Sequence, residues 1–163
     1  NKFNERGIGK TSVTRQAVEQ VPVALFSILA FGGMAYGDVL LETGFEGSSN
    51  LPSGWKQSPV SGSATWKVQQ GGYTGGGNPA TAHGGTNNAT LYIANTNANK
   101  TQLLSPEFNT GGFTNLTLRF WHAQQLWGVN QDELKVFYSM NGGASWTQLA
   151  HYTNNQPNWI ERQ

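Results

Sequence analysis

Beyond residue 37, apolar and polar residues alternate in short runs, and no window repeats with the 3.6-residue period of a helix. The clearest alternating runs are Leu116–His122 and Glu133–Ser139. Because successive side chains of a β-strand point to opposite faces, a period of two predicts strands with one buried face. We therefore expect residues 38–163 to form an all-β domain.

Turns rich in glycine and asparagine separate these runs, among them Gly111-Gly112 and Asn141-Gly142-Gly143. The remaining strand-like runs are Val39–Glu46, Ala64–Val68, Thr90–Ala94, Thr101–Leu104, Trp146–His151 and Trp159–Arg162. About eight short strands joined by such turns favour an antiparallel β-sandwich over β-α-β units. Residues 71–88 are a long polar loop that no helical pattern follows, so its glycines do not predict a phosphate site.

The composition excludes several classes of function. Charged residues make up 12% of the chain, against about 25% in an average soluble protein. The net charge of +1 gives no electrostatic reason to bind nucleic acid or an anionic membrane. Since the chain has no cysteine, disulfides, thiol catalysis and cysteine-ligated zinc are excluded. Six Trp, eight Phe and five Tyr residues are enough to build a core.

Residues 1–37 have the order of an export signal. They carry four cations and two acids, and the run Val23–Gly33 is almost continuously apolar. Ala35-Tyr36-Gly37 then forms a small-x-small site. This order predicts a signal-peptide-like helix, cleaved near Gly37, and a secreted or cell-surface domain over residues 38–163 with no membrane span. A membrane anchor or a buried helix are the alternatives, although the apolar run is short for about 30 Å of hydrocarbon.

No catalytic residues are predicted. Residues 38–163 hold seven carboxylates, and a glycosidase needs two of them about 5–10 Å apart. Glu42 and Glu46 lie about 13 Å apart along an extended strand, while Asp132 and Glu133 point to opposite faces. Two different strands could still supply a pair. The three histidines are widely spaced, and no G-x-S-x-G nucleophile motif is present.

The segment Ser139–Trp146 has the form S-x-N-x-G-x-S-W between two strand-like runs. Its Asn-Gly pair predicts a hairpin, because both residues tolerate a positive φ. The pattern resembles the Asp-box hairpin of sialidase-like and other secreted β-proteins, with Asn in place of Asp, and that hairpin is structural. We expect Trp146 to fold over the turn into the sandwich.

A longer series of motifs carries a family resemblance: Phe45-Glu46, Leu51–Trp55, Trp66, Leu104–Phe108, Leu118–Phe120, Asp132–Val136 and the Ser139–Trp146 hairpin. From about residue 40 to residue 163 this order resembles the choice-of-anchor J and cleaved-adhesin family of bacterial surface proteins. The resemblance implies an antiparallel jelly-roll β-sandwich, related in shape to MAM and laminin-G-like domains. Because members continue beyond the strand that begins at Trp159, it also implies a domain truncated at its C-terminus by one or two strands.

The resemblance further implies a structural calcium ion, for which Glu46 is the first candidate ligand and Asp132 the second. Calcium needs six to eight oxygen ligands, which carboxylates and loop carbonyls supply without Cys or His. The alternative is that Glu46 is a solvated turn carboxylate.

Two tryptophans are candidate ligand-binding residues. Trp127 lies in the polar segment 124–130 between two strands, and Trp121 is on the polar face of the strand before it. An accessible indole beside amide side chains suits a sugar ring, although Trp127 could instead pack over the end of the sandwich. These residues favour a non-catalytic adhesion module that binds an extracellular protein or glycan. The alternatives are a fragment or accessory domain of a secreted hydrolase, a peptidase or glycosidase with its catalytic groups elsewhere, and a structural spacer.

Overall fold

The structure, a computed structural model, describes residues 39–93, 99–110, 113 and 115–163, and the backbone of residues 10–18 and 24–27. All regular secondary structure in these residues is β-strand, which confirms the all-β prediction. Among the same residues, no helix is long and apolar enough to span a membrane.

The strands form two antiparallel sheets. They are β1 (Lys10–Val18), β2 (Ala24–Ser27), β3 (Lys56–Ser61), β4 (Trp66–Gln69), β5 (Asn88–Leu91), β6 (Lys100–Leu104), β7 (Phe108–Asn109), β8 (Phe120–Gln124), β9 (Glu133–Ser139), β10 (Thr147–Tyr152) and β11 (Gln156–Arg162). One sheet has the order β10-β9-β1-β6-β3, and the short β7 pairs with β1. The other sheet has the order β11-β8-β2-β5-β4.

Both sheets contribute to one hydrophobic core, whose buried residues are Phe45, Ala64, Trp66, Val68, Ala89, Leu91, Leu103, Phe120, Leu134 and Val136. Strand β9 shows how the predicted alternation builds it. Leu134 and Val136 are buried in the core, whereas Glu133 and Lys135 between and beside them form an ion pair at 3.2 Å. Each buried leucine or valine stabilises the fold by roughly 1.5–3 kcal/mol.

The prediction of a strand over Val39–Glu46 is wrong, because these residues form no regular structure. Phe45 has a φ of 61°, a left-handed value that interrupts an extended chain. Its fully buried ring meets the ring of Trp55 edge-on, with centroids 5.0 Å apart. Phe45 therefore reaches the core through a bend in the chain rather than from a strand.

Strand β3 was not predicted, because Pro59 lies inside it. The strand is at the edge of its sheet, and its register shifts between Pro59 and Ser61. A proline lacks the N–H that a central strand must donate, and an edge strand with an irregular register tolerates this loss.

Part of the predicted export segment lies in the two sheets. Strand β1 lies between β6 and β9, and strand β2 lies between β5 and β8. Ala24–Ser27, within the apolar run for which we expected a helix, is extended, because strand pairing overrides local helix propensity. Residues 1–9, 19–23 and 28–38, which include the small-x-small site, lie outside the described residues.

The predicted hairpin connects β9 to β10. Ser139 Oγ accepts hydrogen bonds from the N–H groups of Asn141 and Gly143, and Asn141 Oδ1 accepts from the N–H of Ser145 at 2.9 Å. The positive φ values of the turn are at Gly142 and Gly143, so of the predicted Asn-Gly pair only the glycine adopts one. Trp146, however, is 37% exposed and packs over Gly143. It covers the turn, and the expectation that it enters the core is wrong.

Candidate functional site

The candidate site lies on the face of β8 that points away from the core. Phe120, His122 and Gln124 are buried on the core side of this strand, and Trp121 and Ala123 alternate with them. Ala123 is nevertheless buried, because Tyr73, Tyr92 and Trp159 pack against it. A layer of aromatic rings thus covers this side of the five-stranded sheet. We call Tyr73, Tyr92, Trp127, His83, Trp121 and Trp159 the aromatic face.

One half of the aromatic face consists of Tyr73, Tyr92 and Trp127. The rings of Tyr73 and Tyr92 are stacked, with centroids 3.9 Å apart and an interplanar angle of 16°. Trp127 meets both rings at a steep angle, with centroid distances of 5.8 Å to Tyr73 and 6.1 Å to Tyr92. All three side chains are partly exposed. Desolvation raises the pKa of Tyr92, and its hydrogen bond with Tyr73 raises it further.

The glycine-rich loop between β4 and β5 gives Tyr73 its position. The N–H groups of Gly76 and Gly77 donate to the carbonyl oxygen of Tyr73 at 3.2 and 2.8 Å, which closes a tight turn. A Cβ atom at Gly75 would collide with the Tyr73 ring, so only glycine lets the ring lie against the turn. The same loop is attached to β4 by Gln69, whose Nε2 donates to the carbonyl of Gly72 at 2.6 Å.

The other half consists of His83, Trp121 and Trp159. The His83 imidazole stacks on the Trp121 indole, and the Trp159 ring meets His83 at 75° with centroids 6.1 Å apart. Beside them, Arg119 and Glu161 form an ion pair at 2.8 Å. Burial lowers the pKa of His83, and the negative charge of Glu161 partly offsets this effect.

Amide groups lie beside Trp127. Gln125 Oε1 accepts a hydrogen bond from the N–H of Asn78, and Asn155 Oδ1 accepts one from the N–H of Leu126 at 2.8 Å. Trp127 and Asn130 exchange two backbone hydrogen bonds at 2.9 and 3.0 Å, which fixes the turn that presents the indole. Aromatic rings beside amides can stack on an apolar ring face and bond hydroxyl groups at its rim.

The structure thus places Trp121 and Trp127 in two neighbouring groups on the same aromatic face. Sequence reasoning missed Tyr73, Tyr92, His83 and Trp159. The signal for Tyr73 and His83 was available: both are large rings within the polar loop 71–88, which suggests that the loop lies on a surface. Nothing local to the sequence pairs this loop with β8.

Glu46, the first candidate calcium ligand, binds backbone N–H groups. Its Oε1 accepts hydrogen bonds from the N–H groups of Thr86 and Asn87 at 3.0 and 2.9 Å. Gly85, with a φ of 68°, lies so close that an added Cβ would collide with Oε1. Glu46 therefore anchors the end of the 71–87 loop, although its side chain stays exposed to solvent.

Asp132, the second candidate, has a different environment. Its side chain is 2% exposed, and neither carboxyl oxygen has a hydrogen-bond partner. Desolvation raises the pKa of Asp132 to about 8. Gln124 lies beside it: Gln124 Nε2 donates to the main-chain carbonyls of Asp132 and Tyr152, and Gln124 Oε1 is also unpartnered. Unpaired buried oxygens are the ligand type that calcium takes, so Asp132 fits this ion better than Glu46 does.

The other acidic and histidine side chains are dispersed. Glu133 is bound by Lys135 and His151, and these two partners lower its pKa against the opposing effect of burial. His122 lies on the buried face of β8, and its Nδ1 accepts a hydrogen bond from Arg162 Nε at 3.4 Å. In the part of the chain that the structure describes, no three His, Cys, Asp or Glu side chains come together as a metal-binding group.

Comparison with known proteins adds no relative: no family model, no curated protein and no solved structure matches the chain.

Proposed function

We propose that this chain is a non-catalytic binding domain of a secreted or cell-surface bacterial protein, and that it binds a glycan through the aromatic face. The observation that carries the proposal is the arrangement of Tyr73, Tyr92 and Trp127. Three partly exposed rings are held together on one side of a sheet, beside the amide groups of the 124–130 turn.

A sugar ring suits this arrangement chemically. It presents an apolar C–H face, which stacks on an indole or a phenol, and hydroxyl groups, which bond to amides. The hydrogen bonds around Trp127 come from amide and backbone groups. This favours an uncharged glycan over an acidic one, and over a protein partner recognised by ion pairs.

The partners of the carboxylates support a non-catalytic role. Glu46 is held by two backbone N–H groups, Glu161 by Arg119, and Glu133 by Lys135 and His151. A glycosidase keeps two carboxyl groups available to the substrate. These three carboxylates are therefore engaged by groups of the protein rather than held ready for a substrate.

The wider setting is part of the same proposal. The motif order in residues 40–163 supports a jelly-roll domain of the choice-of-anchor J and cleaved-adhesin type, and the basic–apolar–small order of residues 1–37 supports export. The unpaired oxygens of Asp132 and Gln124 support a structural calcium ion. Such an ion would neutralise a buried carboxylate and stabilise the junction of β8 with β9 and β10.

The test is Trp127→Ala, assayed for binding on an array of neutral oligosaccharides and by a thermal melt. We expect binding to weaken about tenfold or more, since a stacked indole is a typical hot spot. The loss of stability should stay below the ~3–5 kcal/mol of a fully buried tryptophan. Val129→Ala is the matched control, because Val129 is in the same turn and 94% exposed. It should change neither property.

Two results would contradict the proposal. If Trp127→Ala lowers the stability of the fold by as much as the loss of a fully buried tryptophan does, Trp127 is a structural residue. A structural spacer would then describe the chain better than a binding domain. Equal binding by Trp127→Ala and the wild type would remove the aromatic face as the glycan site.

A further inference from the structure

Two amide side chains are held beside the turn that presents Trp127. Gln125 Oε1 accepts a hydrogen bond from the N–H of Asn78, and Asn155 Oδ1 accepts one from the N–H of Leu126 at 2.8 Å. Because a backbone N–H only donates, the atom that each amide uses in these contacts is its oxygen. The contacts fix both amide groups, and the NH2 end of each is what remains for a ligand.

Neither NH2 group is used by the protein in the part of the chain that the structure describes. There, Gln125 Nε2 and Asn155 Nδ2 have no hydrogen-bond partner. The Gln125 side chain is partly exposed and the Asn155 side chain is exposed, so a ligand can reach both. Each NH2 group carries two N–H donors. The place beside Trp127 therefore presents donors in fixed positions, and a ligand that suits them presents an acceptor.

Sugars carry three kinds of acceptor, and the surroundings distinguish among them. A hydroxyl group also has a hydrogen that needs an acceptor, and the oxygens of both held amides are already bonded. A carboxylate is best held by a cation, but the ion pair beside the aromatic face, Arg119 with Glu161, has no net charge. An amide carbonyl is neutral and only accepts. It is therefore the best match for the two held donors.

The nearby rings suit the other parts of an acetamido group. The centroids of Tyr73, Tyr92 and Trp127 lie 3.9, 5.8 and 6.1 Å from one another, and these partly exposed rings offer an apolar surface to the acetyl methyl group. The acetamido N–H needs an acceptor. Within the described residues no hydrogen bond holds the side chain of Asn130, in the same turn, so its amide can rotate to accept this N–H.

We propose that the aromatic face binds a glycan built from 2-acetamido sugars. The acetamido carbonyl accepts from the NH2 groups of Gln125 and Asn155, and the acetyl methyl group packs on the rings of Tyr73, Tyr92 and Trp127. The inference rests on the proposed function, which specifies only an uncharged glycan, and it adds the chemical class of the sugar.

The first arm of the test compares three tetrasaccharides on the full wild-type chain by isothermal titration calorimetry. They consist of β-1,4-linked N-acetylglucosamine, glucose and glucosamine, and they differ only in the group at carbon 2. The acetylated tetramer should bind about tenfold or more tightly than the glucose tetramer, which corresponds to about two ordinary neutral hydrogen bonds. The glucosamine tetramer has the nitrogen without the carbonyl, so it should bind no more tightly than the glucose tetramer.

The second arm removes the NH2 groups without removing the oxygens that hold them. Gln125→Glu and Asn155→Asp each retain the acceptor for the backbone N–H and replace the NH2 group by an oxygen, which repels a carbonyl. Each variant should weaken binding of the acetylated tetramer about tenfold, with a smaller effect on the glucose tetramer. The melting temperature should not fall, since the backbone contacts remain. Asn154→Asp is the control, because it makes the same change of charge at the neighbouring exposed residue.

The possible results separate this inference from the proposed function. Equal affinity for the acetylated and glucose tetramers, with both weakened by Trp127→Ala, would retain the glycan site and overturn the acetamido preference. A preference that persists in both Gln125→Glu and Asn155→Asp, or that Asn154→Asp removes equally well, would also overturn it. Binding of neither tetramer would overturn the inference, and the oligosaccharide array then decides the proposed function by itself.

Discussion

The imidazole ring of His83 lies almost flat on the indole ring of Trp121, with centroids 3.7 Å apart and an interplanar angle of 16°. Nearby, Trp159 Nε1 donates a hydrogen bond to the carbonyl of Thr81 at 2.9 Å. Trp121 belongs to β8 and Trp159 to β11. These two contacts therefore attach the 71–87 loop to adjacent strands, and the shape of the aromatic face depends on them.

The stacking of His83 predicts a loss of stability in acid. Because burial lowers its pKa below the ordinary value of 6.5, the unfolded chain binds the proton more readily than the folded chain does. The stabilisation by neutral His83 is complete above about pH 6.5 and is lost as the pH falls through the lowered pKa. We expect His83→Phe, which keeps an aromatic ring and removes the titration, to flatten the fall in melting temperature between about pH 7 and pH 5. Parallel melting curves for the two proteins would show that His83 is not the group responsible.

We expect the Glu46 carboxylate to slow amide exchange at the end of the 71–87 loop. Removal of its carboxylate in Glu46→Ala leaves the N–H groups of Thr86 and Asn87 without their acceptor. A hydrogen bond worth about 1 kcal/mol corresponds to roughly fivefold faster amide exchange at these two residues. Hydrogen exchange read by NMR measures the effect, and Glu42→Ala, at an exposed position four residues earlier, is the control. Unchanged exchange at both amides would mean that the contact does not hold the loop in solution.

The β9–β10 hairpin depends on the side chain of Asn141. Asn141→Ala removes the Oδ1 that accepts from Ser139 Oγ and from the N–H of Ser145. We expect a loss of about 1–2 kcal/mol in the free energy of unfolding, measured by denaturant titration. Asn141→Asp retains this acceptor and restores the residue of the Asp-box pattern, so it should lose less. A larger loss for Asn141→Asp than for Asn141→Ala would contradict the assigned role.

The buried carboxyl group of Asp132 leads us to expect that added calcium changes the melting temperature in a pH-dependent way. An ion that binds only the folded chain raises the melting temperature by mass action. Because burial raises the pKa of Asp132 to about 8, protons compete with calcium below this pH. The gain on adding calcium should thus be larger at about pH 9 than at about pH 6, and Asp132→Asn should remove most of it. Glu46→Gln is the comparison: a greater loss there than in Asp132→Asn would return Glu46 to first place as the ligand.

Strand β9 shows what a local pattern can predict. The alternation in Glu133–Ser139 predicted the bounds of the strand and the burial of Leu134 and Val136, although Ser139 is buried in place of Tyr138. The following Asn-Gly pair predicted the hairpin. These features depend on neighbours close in sequence, so the sequence itself contains their cause. The prediction of a strand over Val39–Glu46 failed because a contact distant in sequence decides the structure there. The position of Phe45 is decided by its contact with Trp55 in the core, which no window of eight residues contains.

The candidate site divides in the same way. Trp127 could be selected from the sequence, because an indole in a polar turn is unusual. Its partners Tyr73 and Tyr92 could not, since they come from a distant loop and from the end of β5.

The amino-acid sequence alone determined that this chain is an all-β protein with few charges, no cysteine and glycine-rich turns. Alternation of apolar and polar residues is a local property, and the burial of one face away from water turns it into a strand. The tertiary structure decided which aromatic rings meet on β8, and that the carboxyl group of Asp132 is buried without a partner while Glu46 binds a loop. Strand order and register set these distances, and both arise from pairing between segments far apart in the chain, which no local pattern encodes.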